Sequence, residues 1–172
     1  MIIRWIPLIS ILLVSFLILI YITNTIKDFN KRKLPLISLI YLTFLGMILF
    51  TPVSFTGTAV YIMPTGIGQL NLHHIYYDLG FIENIILTVP LGFLIKKAFS
   101  EISVISMIPL GVIIGASIET MQYYLSHTFL INRTSDISDV VANAAGIVIG
   151  ATVMLFYQYV VEKKPLDKLS VR

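Results

Sequence analysis

The sequence predicts an all-α membrane protein, a bundle of about five transmembrane helices. Hydrophobic residues make up 57% of the 172 residues and charged residues only 12%, whereas a soluble domain carries about 25% charged residues. Five apolar segments approach the length of about 20 residues that a bilayer requires, and basic residues are concentrated in alternate connections between them. The length allows one integral membrane domain over residues 1–172.

The predicted spans, in chain order, are residues 5–23, 34–51, 79–95, 102–125 and 138–161. The first span follows Arg4, but no small-x-small cleavage site follows Tyr21, so we interpret it as a retained helix and not as a signal peptide. The longest connection, 52–77, contains turn-forming glycines and prolines and a short apolar run at 60–63. That run is too short to span, so it either lies at the membrane interface or covers the bundle.

Basic residues orient the spans. They lie in the first connection, the third connection and the carboxyl-terminal tail: Lys27, Lys31, Arg32, Lys33; Lys96, Lys97; Lys163, Lys164, Lys168, Arg172. The second connection has no Lys or Arg, and the fourth has only Arg133. The positive-inside rule therefore predicts the N-terminus outside and the C-terminus, with a short tail over 162–172, in the cytoplasm. This topology explains the net charge of +3, so no nucleic-acid partner is predicted.

Polar residues lie in or beside the last three predicted spans, where ionisable groups are costly and are functional candidates by default. The candidate pocket residues are Asp78, Glu83, Asn84, Ser117, Glu119, Gln122, Arg133, Asp136, Asp139 and Asn143. The topology places them at similar depth near the outer side, and one helical face carries Asp136, Asp139 and Asn143. Arg133 can pair with one or two carboxylates, and the others must be solvated, protonated, hydrogen-bonded or bound to a cation.

A structural alternative exists for the same residues. Polar side chains in membrane bundles often hydrogen-bond between helices, and Asp136 with Ser138 fits the N-cap of the fifth helix. Two GxxxG motifs, at 111–115 and 146–150, allow close approach of helix backbones. We expect them to pack the fourth and fifth helices within the chain.

Several of these residues form motifs that resemble a known family. The motifs are Asp78-x5-Asn84 with Val89-Pro90-Leu91-Gly92-Phe93, Ser117-x-Glu119-x-x-Gln122, and Arg133-x-x-Asp136-x-x-Asp139-x3-Asn143-x-x-Gly146. Over about 71–150 they resemble the VanZ-like family of bacterial membrane proteins. That family takes its name from a protein that gives resistance to the glycopeptide teicoplanin. The resemblance implies a multi-pass protein of the bacterial cell membrane, linked to antibiotic resistance or cell-envelope homeostasis, with no established catalytic residue.

Three functions fit the sequence. The first is a non-enzymatic protein whose outward acidic pocket binds membrane lipid, a lipid-linked cell-wall precursor or a lipoglycopeptide. The second is an enzyme acting on a lipid phosphate or envelope substrate, in which His73 or His74 helps carboxylates to hold a divalent cation; the sequence lacks HExxH and GxSxG. The third is a small proton-coupled transporter, although no inverted repeat is visible. No metal or cofactor is predicted.

Overall fold

The structure is a computed structural model that describes residues 2–55 and 58–162. Within these residues a 3-10 turn (Ile2–Trp5) precedes five long helices: α1 (Ile6–Thr25), α2 (Phe29–Phe50), α3 (Leu79–Ala98), α4 (Met107–Phe129) and α5 (Ile137–Val160). β1 (Val53–Phe55) pairs antiparallel with β2 (Val60–Ile62), and β3 (Leu70–Asn71) pairs with β4 (Ser135–Asp136). The mainly helical architecture is as predicted, and the short strands are additional. Of the predicted tail, all but Glu162 lies outside the described residues.

Among the described residues, four helical segments are long and apolar enough to cross a membrane. They are Ile2–Thr25, Phe29–Phe50, Leu79–Ala98 and Ile137–Val160. Many of their apolar side chains are exposed, which is consistent with contact with membrane lipid. The helix α4 is as long as the others, but polar residues such as Glu119 and Gln122 occupy its second half. By length and composition the structure therefore gives four candidate spans where the sequence predicted about five.

The helix α2 begins at Phe29, five residues before the predicted span. Asp28 is its N-cap, because its carboxylate accepts a hydrogen bond of 2.8 Å from the backbone N–H of Asn30. Three of the basic residues assigned to the first connection, 31–33, consequently lie in the first turns of α2.

The helix α4 begins at Met107, five residues after the start of the predicted span. The preceding loop is fixed by the buried Lys96, whose Nζ donates to the carbonyl oxygens of Ser100 and Ile102 at 2.7 Å each. The hydroxyl of Ser103 then accepts the backbone N–H of Ser106 at 3.0 Å. Local hydrogen bonds therefore hold residues 99–106 outside both helices even though several of them are apolar.

The chain divides into two compact units. One comprises Met1–Leu70 and Met121–Ser135, and the other comprises Asn71–Thr120 and Asp136–Arg172, so α4 contributes to both. In the first unit α1 packs on α2, and the hydroxyls of Ser15 and Thr43 are 2.7 Å apart. Arg4 is buried there and donates to Thr65 Oγ1 at 2.8 Å and to the Met63 carbonyl at 2.6 Å. These bonds tie the start of the chain to the connection after β2.

In the second unit α5 packs between α3 and the first part of α4. Its core contains Met107, Ile147 and Ala151. On the α4 side, Gly111 faces Ala144 and Gly115 faces Val140. Because residue numbers rise along α4 as they fall along α5, these two helices are antiparallel.

The contact between α3 and α5 is closer still. A Cβ atom at Gly146 would overlap the Ile85 carbonyl, and one at Gly150 would overlap the Val89 carbonyl. Residue numbers rise together in these contacts, so α3 and α5 are parallel. The first GxxxG motif packs α4 on α5 as expected, whereas the second contacts α3, because only glycine lets the two backbones approach this closely.

Candidate functional site

In the first unit, side chains donate hydrogen bonds to the last carbonyl groups of α2. The last four carbonyl groups of an α-helix have no partner within the helix. Here the Thr51 hydroxyl donates to the Met47 carbonyl at 2.6 Å, and Gln122 Nε2 donates to the Leu49 carbonyl at 3.0 Å. Gln122, predicted as a pocket residue, is buried and caps α2.

Arg133 also donates hydrogen bonds at the carboxyl end of α2. Its guanidinium donates to the backbone carbonyls of Ile48, Thr51 and Val53, with a distance of 3.1 Å from Nε to the Thr51 oxygen. The Ser126 hydroxyl positions it, since it donates to the Arg133 carbonyl and accepts the Arg133 N–H, both at 2.8 Å. A cation is also favoured at a helix carboxyl end by the macrodipole. Arg133 therefore stabilises the end of α2, a role that its prediction as a counter-ion of the pocket did not include.

Two of the predicted acids cap helices in the second unit. The exposed Asp78 is the N-cap of α3, and its carboxylate accepts the Phe81 N–H at 3.0 Å. Asp136 is the N-cap of α5, and its carboxylate accepts the Ser138 N–H at 2.7 Å. Such caps contribute about 0.5–2 kcal/mol each. The N-cap role proposed as the structural alternative for Asp136 is thus present. Asp136 also contacts Glu119, so it remains a candidate site residue.

Asp136 is also joined to α4 and to the loop before α3. Glu119 is buried, and its Oε2 accepts the Asp136 backbone N–H at 2.9 Å. Asn71 Nδ2 donates to the Asp136 carboxylate at 2.9 Å. The start of α5 is consequently held at a fixed distance from Glu119.

The loop after Asn71 wraps around the start of α5. Asn71 Oδ1 accepts the N–H groups of His73 and His74 at 3.3 and 3.1 Å, and its Nδ2 donates to the His74 carbonyl at 2.6 Å. The Ser138 hydroxyl accepts the Tyr76 N–H at 2.9 Å. Asn71 and Ser138 were missed as site residues, although side-chain bonds to nearby backbone are typical of Asn and Ser.

The side chains of His73 and His74 are exposed. Their backbone groups make the hydrogen bonds with Asn71. Within the described part of the chain, no group of three or more His, Cys, Asp or Glu residues is arranged to hold a metal ion. The alternative in which His73 or His74 completes a divalent-cation site therefore gains no support from the geometry.

Further along α3 and α5 from their N-caps, the two helices bring more polar groups together. The Asn84 side chain donates a hydrogen bond to the Asp139 carboxylate, on which the charges of Asp136 and Asp78 also act. The Thr88 hydroxyl lies 2.7 Å from the Asn84 carbonyl and 3.2 Å from the Asn143 carbonyl. We refer to the following residues as the polar cluster: Asn84, Glu119, Asp136, Asp139 and Asn143.

Asn143 is the most buried member of the polar cluster. Its exposed fraction is 0%, and neither its side-chain oxygen nor its side-chain nitrogen has a hydrogen-bond partner among the described residues. A buried polar group that is left unpaired costs about 1–3 kcal/mol. Most such groups in native proteins have a partner, so Asn143 is the residue of the cluster whose presence the fold explains least.

A protein-family model described as VanZ/LLP1 matches residues 5–158. The chain belongs to the VanZ/LLP1 family. The match is longer than the resemblance over 71–150 and includes residues of both units. Together with the four candidate spans it indicates a multi-pass membrane protein. Searches among curated proteins and among solved structures gave no significant match.

Two predicted residues of this VanZ/LLP1 family member lie apart from the polar cluster. Ser117 is exposed, and its hydroxyl donates to the Ile113 carbonyl of its own helix at 2.7 Å. Glu83 is half-buried on α3, and no hydrogen bond joins it to the polar cluster within the described residues. Of the ten candidate residues, five form the polar cluster, two close the end of α2, and one caps α3.

Proposed function

We propose that this VanZ/LLP1 family member acts in the bacterial cell membrane, where the polar cluster binds the head group of an amphipathic ligand and thereby protects the cell against teicoplanin. The ligand is a membrane lipid, a lipid-linked cell-wall precursor or the lipoglycopeptide itself. The observation that carries the proposal is the buried side chain of Asn143, which has no hydrogen-bond partner among the described residues and lies one helical turn from Asp139.

Asn143 and Asp139 are suited to act together. They are four residues apart on α5, so they lie on the same helical face one turn apart. The amide of Asn143 offers both a donor and an acceptor, and the half-buried carboxylate of Asp139 offers an acceptor with charge. Because Asn143 is 0% exposed, a polar head group reaches its amide only by displacing the side chains that cover it, and satisfying the amide would then recover the free energy that its unpaired burial costs.

The chemistry of the polar cluster selects the kind of head group. Glu119, Asp136 and Asp139 supply carboxylates, which accept hydrogen bonds from charged donors with about twice the strength of neutral ones. A head group with hydroxyl, amide or ammonium donors fits such a surface. This requirement is met by amine-bearing and sugar-bearing amphiphiles.

The direction of α3 supports an outward-facing site. Asp78 begins this helix beside the polar cluster, and Lys96 and Lys97 lie in its last turn. Basic residues concentrate on the cytoplasmic side of membrane proteins, which puts the opposite end of α3 on the outside. We therefore propose that the N-terminus is outside, that the C-terminus is cytoplasmic and that the cluster lies toward the outer leaflet.

Replacing Asp139 with asparagine is expected to abolish protection against teicoplanin. Asn is close to Asp in shape, so the helix packing is retained, but it removes the charge and replaces one acceptor oxygen with an NH2 donor. The measurement is the minimum inhibitory concentration of teicoplanin for susceptible cells that produce each variant at equal membrane levels. Asp139→Asn should return this concentration to that of cells lacking the protein.

Ser117→Ala is the matched control for that experiment. Ser117 was predicted for the same pocket, yet within the described part of the chain its hydroxyl bonds its own helix, so its loss should leave protection unchanged. Full protection by Asp139→Asn would contradict the proposed function, as would a wild-type protein that gives no protection at all.

A further inference from the structure

The β1–β2 hairpin has one wholly apolar face. Its paired residues are Val53 with Ile62, Ser54 with Tyr61, and Phe55 with Val60. Paired residues of an antiparallel ladder point to the same face, and successive residues alternate between faces. One face therefore carries Val53, Phe55, Val60 and Ile62, and the other carries Ser54 and Tyr61.

Three of the four side chains on the apolar face are exposed, and Val53 is half-buried. Val60 is 70% exposed, Ile62 58% and Phe55 49%. An isolated two-stranded hairpin is at best marginally stable in water, and an exposed apolar strand is a site of aggregation. A hairpin of this composition requires an apolar surface against its face.

Membrane lipid is the surface that the neighbouring residues indicate. β1 starts three residues after the end of α2, which is a candidate membrane span with outward apolar side chains such as Ile40 and Phe44, 58% and 60% exposed. The hairpin thus follows directly on a helix whose exposed apolar side chains are consistent with contact with lipid. Amphipathic helices that lie at the interface bury their apolar face by about 5–10 Å, and we expect a similar depth for the apolar face of the hairpin.

The composition of the segment agrees with this position. Residues 51–77 contain no Asp, Glu, Lys or Arg, so the insertion of the hairpin carries no charge into the lipid. Tyr61 lies on the opposite face, and tyrosine is enriched at the level of the head groups.

We propose that the apolar face of the β1–β2 hairpin inserts into the boundary between head groups and acyl chains, in the leaflet at which α2 ends. Ser54 and Tyr61 then face the aqueous side. The hairpin acts as an interfacial anchor beside α2, and this role does not depend on what the polar cluster binds.

The absence of cysteine from the 172 residues provides a direct test. Single-cysteine variants Val60→Cys and Ile62→Cys report the apolar face, and Tyr61→Cys, between them on the same strand, reports the other. Each full-length variant is labelled with an environment-sensitive fluorophore and placed in phosphatidylcholine nanodiscs, with or without lipid carrying a doxyl quencher near the head group.

We expect blue-shifted emission and strong quenching by doxyl lipid for the labels at Val60 and Ile62. The label at Tyr61 should show water-like emission and be quenched by aqueous iodide. Equal iodide quenching at all three positions would overturn the proposal. Protection at Val60 and Ile62 without doxyl quenching would also overturn it, because a protein surface or a second copy would then cover the face. Phe55→Cys is a further reporter of the apolar face. Elution of each variant at the wild-type position on gel filtration shows that its fold is retained.

Discussion

Replacing Gly150 with alanine is expected to lower the free energy of unfolding by about 3 kcal/mol, the upper end of the 1–3 kcal/mol that inserting atoms into a packed contact typically costs. The added Cβ would overlap the Val89 carbonyl oxygen and press on the Phe93 backbone nitrogen. Both are backbone atoms of α3, so no side chain can rotate away, and α3 and α5 must separate. The measurement is thermal or denaturant unfolding of the purified protein in detergent micelles.

Gly46→Ala is the matched control, because Gly46 also lies inside a helix. A Cβ there would lie 3.6 Å from Ile11 Cδ1, which is an ordinary contact. Alanine stabilises a helix interior relative to glycine by roughly 0.5–1 kcal/mol, so this variant should be as stable as wild type or more so. If Gly150→Ala matched Gly46→Ala, the close parallel contact between α3 and α5 would be incorrect.

Replacing Arg133 with methionine is expected to produce the second large loss, again about 3 kcal/mol or more, since a hydrogen bond to a charged group contributes roughly 1.5–3 kcal/mol. The change leaves the carbonyls of Ile48, Thr51 and Val53 without their donor. Arg133→Lys should lose part of this stability, because an ammonium group lacks the planar fork that reaches several carbonyls at once. The same unfolding measurement ranks the variants.

Arg32→Met separates the loss of capping from the loss of an arginine as such. Arg32 is half-buried and lies 5.9 Å from the ring of Phe29, a cation–π contact worth roughly 0.5–2 kcal/mol. A loss for Arg133→Met no greater than that for Arg32→Met would contradict its role at the end of α2. Wild-type stability of Arg133→Lys would show that charge alone is sufficient.

Much of the fold follows from local features of the sequence. Apolar length predicted five long helices, and the start of α3 at Leu79 agrees with prediction. Asp136 was recognised as a possible N-cap, because caps depend on residues only a few positions apart. The starts of α2 and α4 were displaced since local side-chain bonds, from Asp28 and from Lys96, decide where those helices begin.

The roles of Gln122 and Arg133 were not predictable in the same way. Helical spacing gives the face and depth of a side chain, but it does not say which backbone carbonyls lie opposite. Both residues bond to the end of α2, which is more than seventy residues away in the chain. The β1–β2 hairpin escaped prediction for a different reason, because strands of three residues are too short to show an alternating pattern.

Asn143 gives the most direct test of the proposal that the polar cluster binds a ligand. Asn143→Leu replaces an unpaired amide with an apolar side chain of the core and leaves the backbone carbonyl that Thr88 bonds. The measurement is the minimum inhibitory concentration of teicoplanin for cells that produce this variant and wild type at equal membrane levels. We expect the variant to be at least as stable as wild type and to give no protection. Full protection by Asn143→Leu would contradict the proposal, because the buried amide would then have no part in the function.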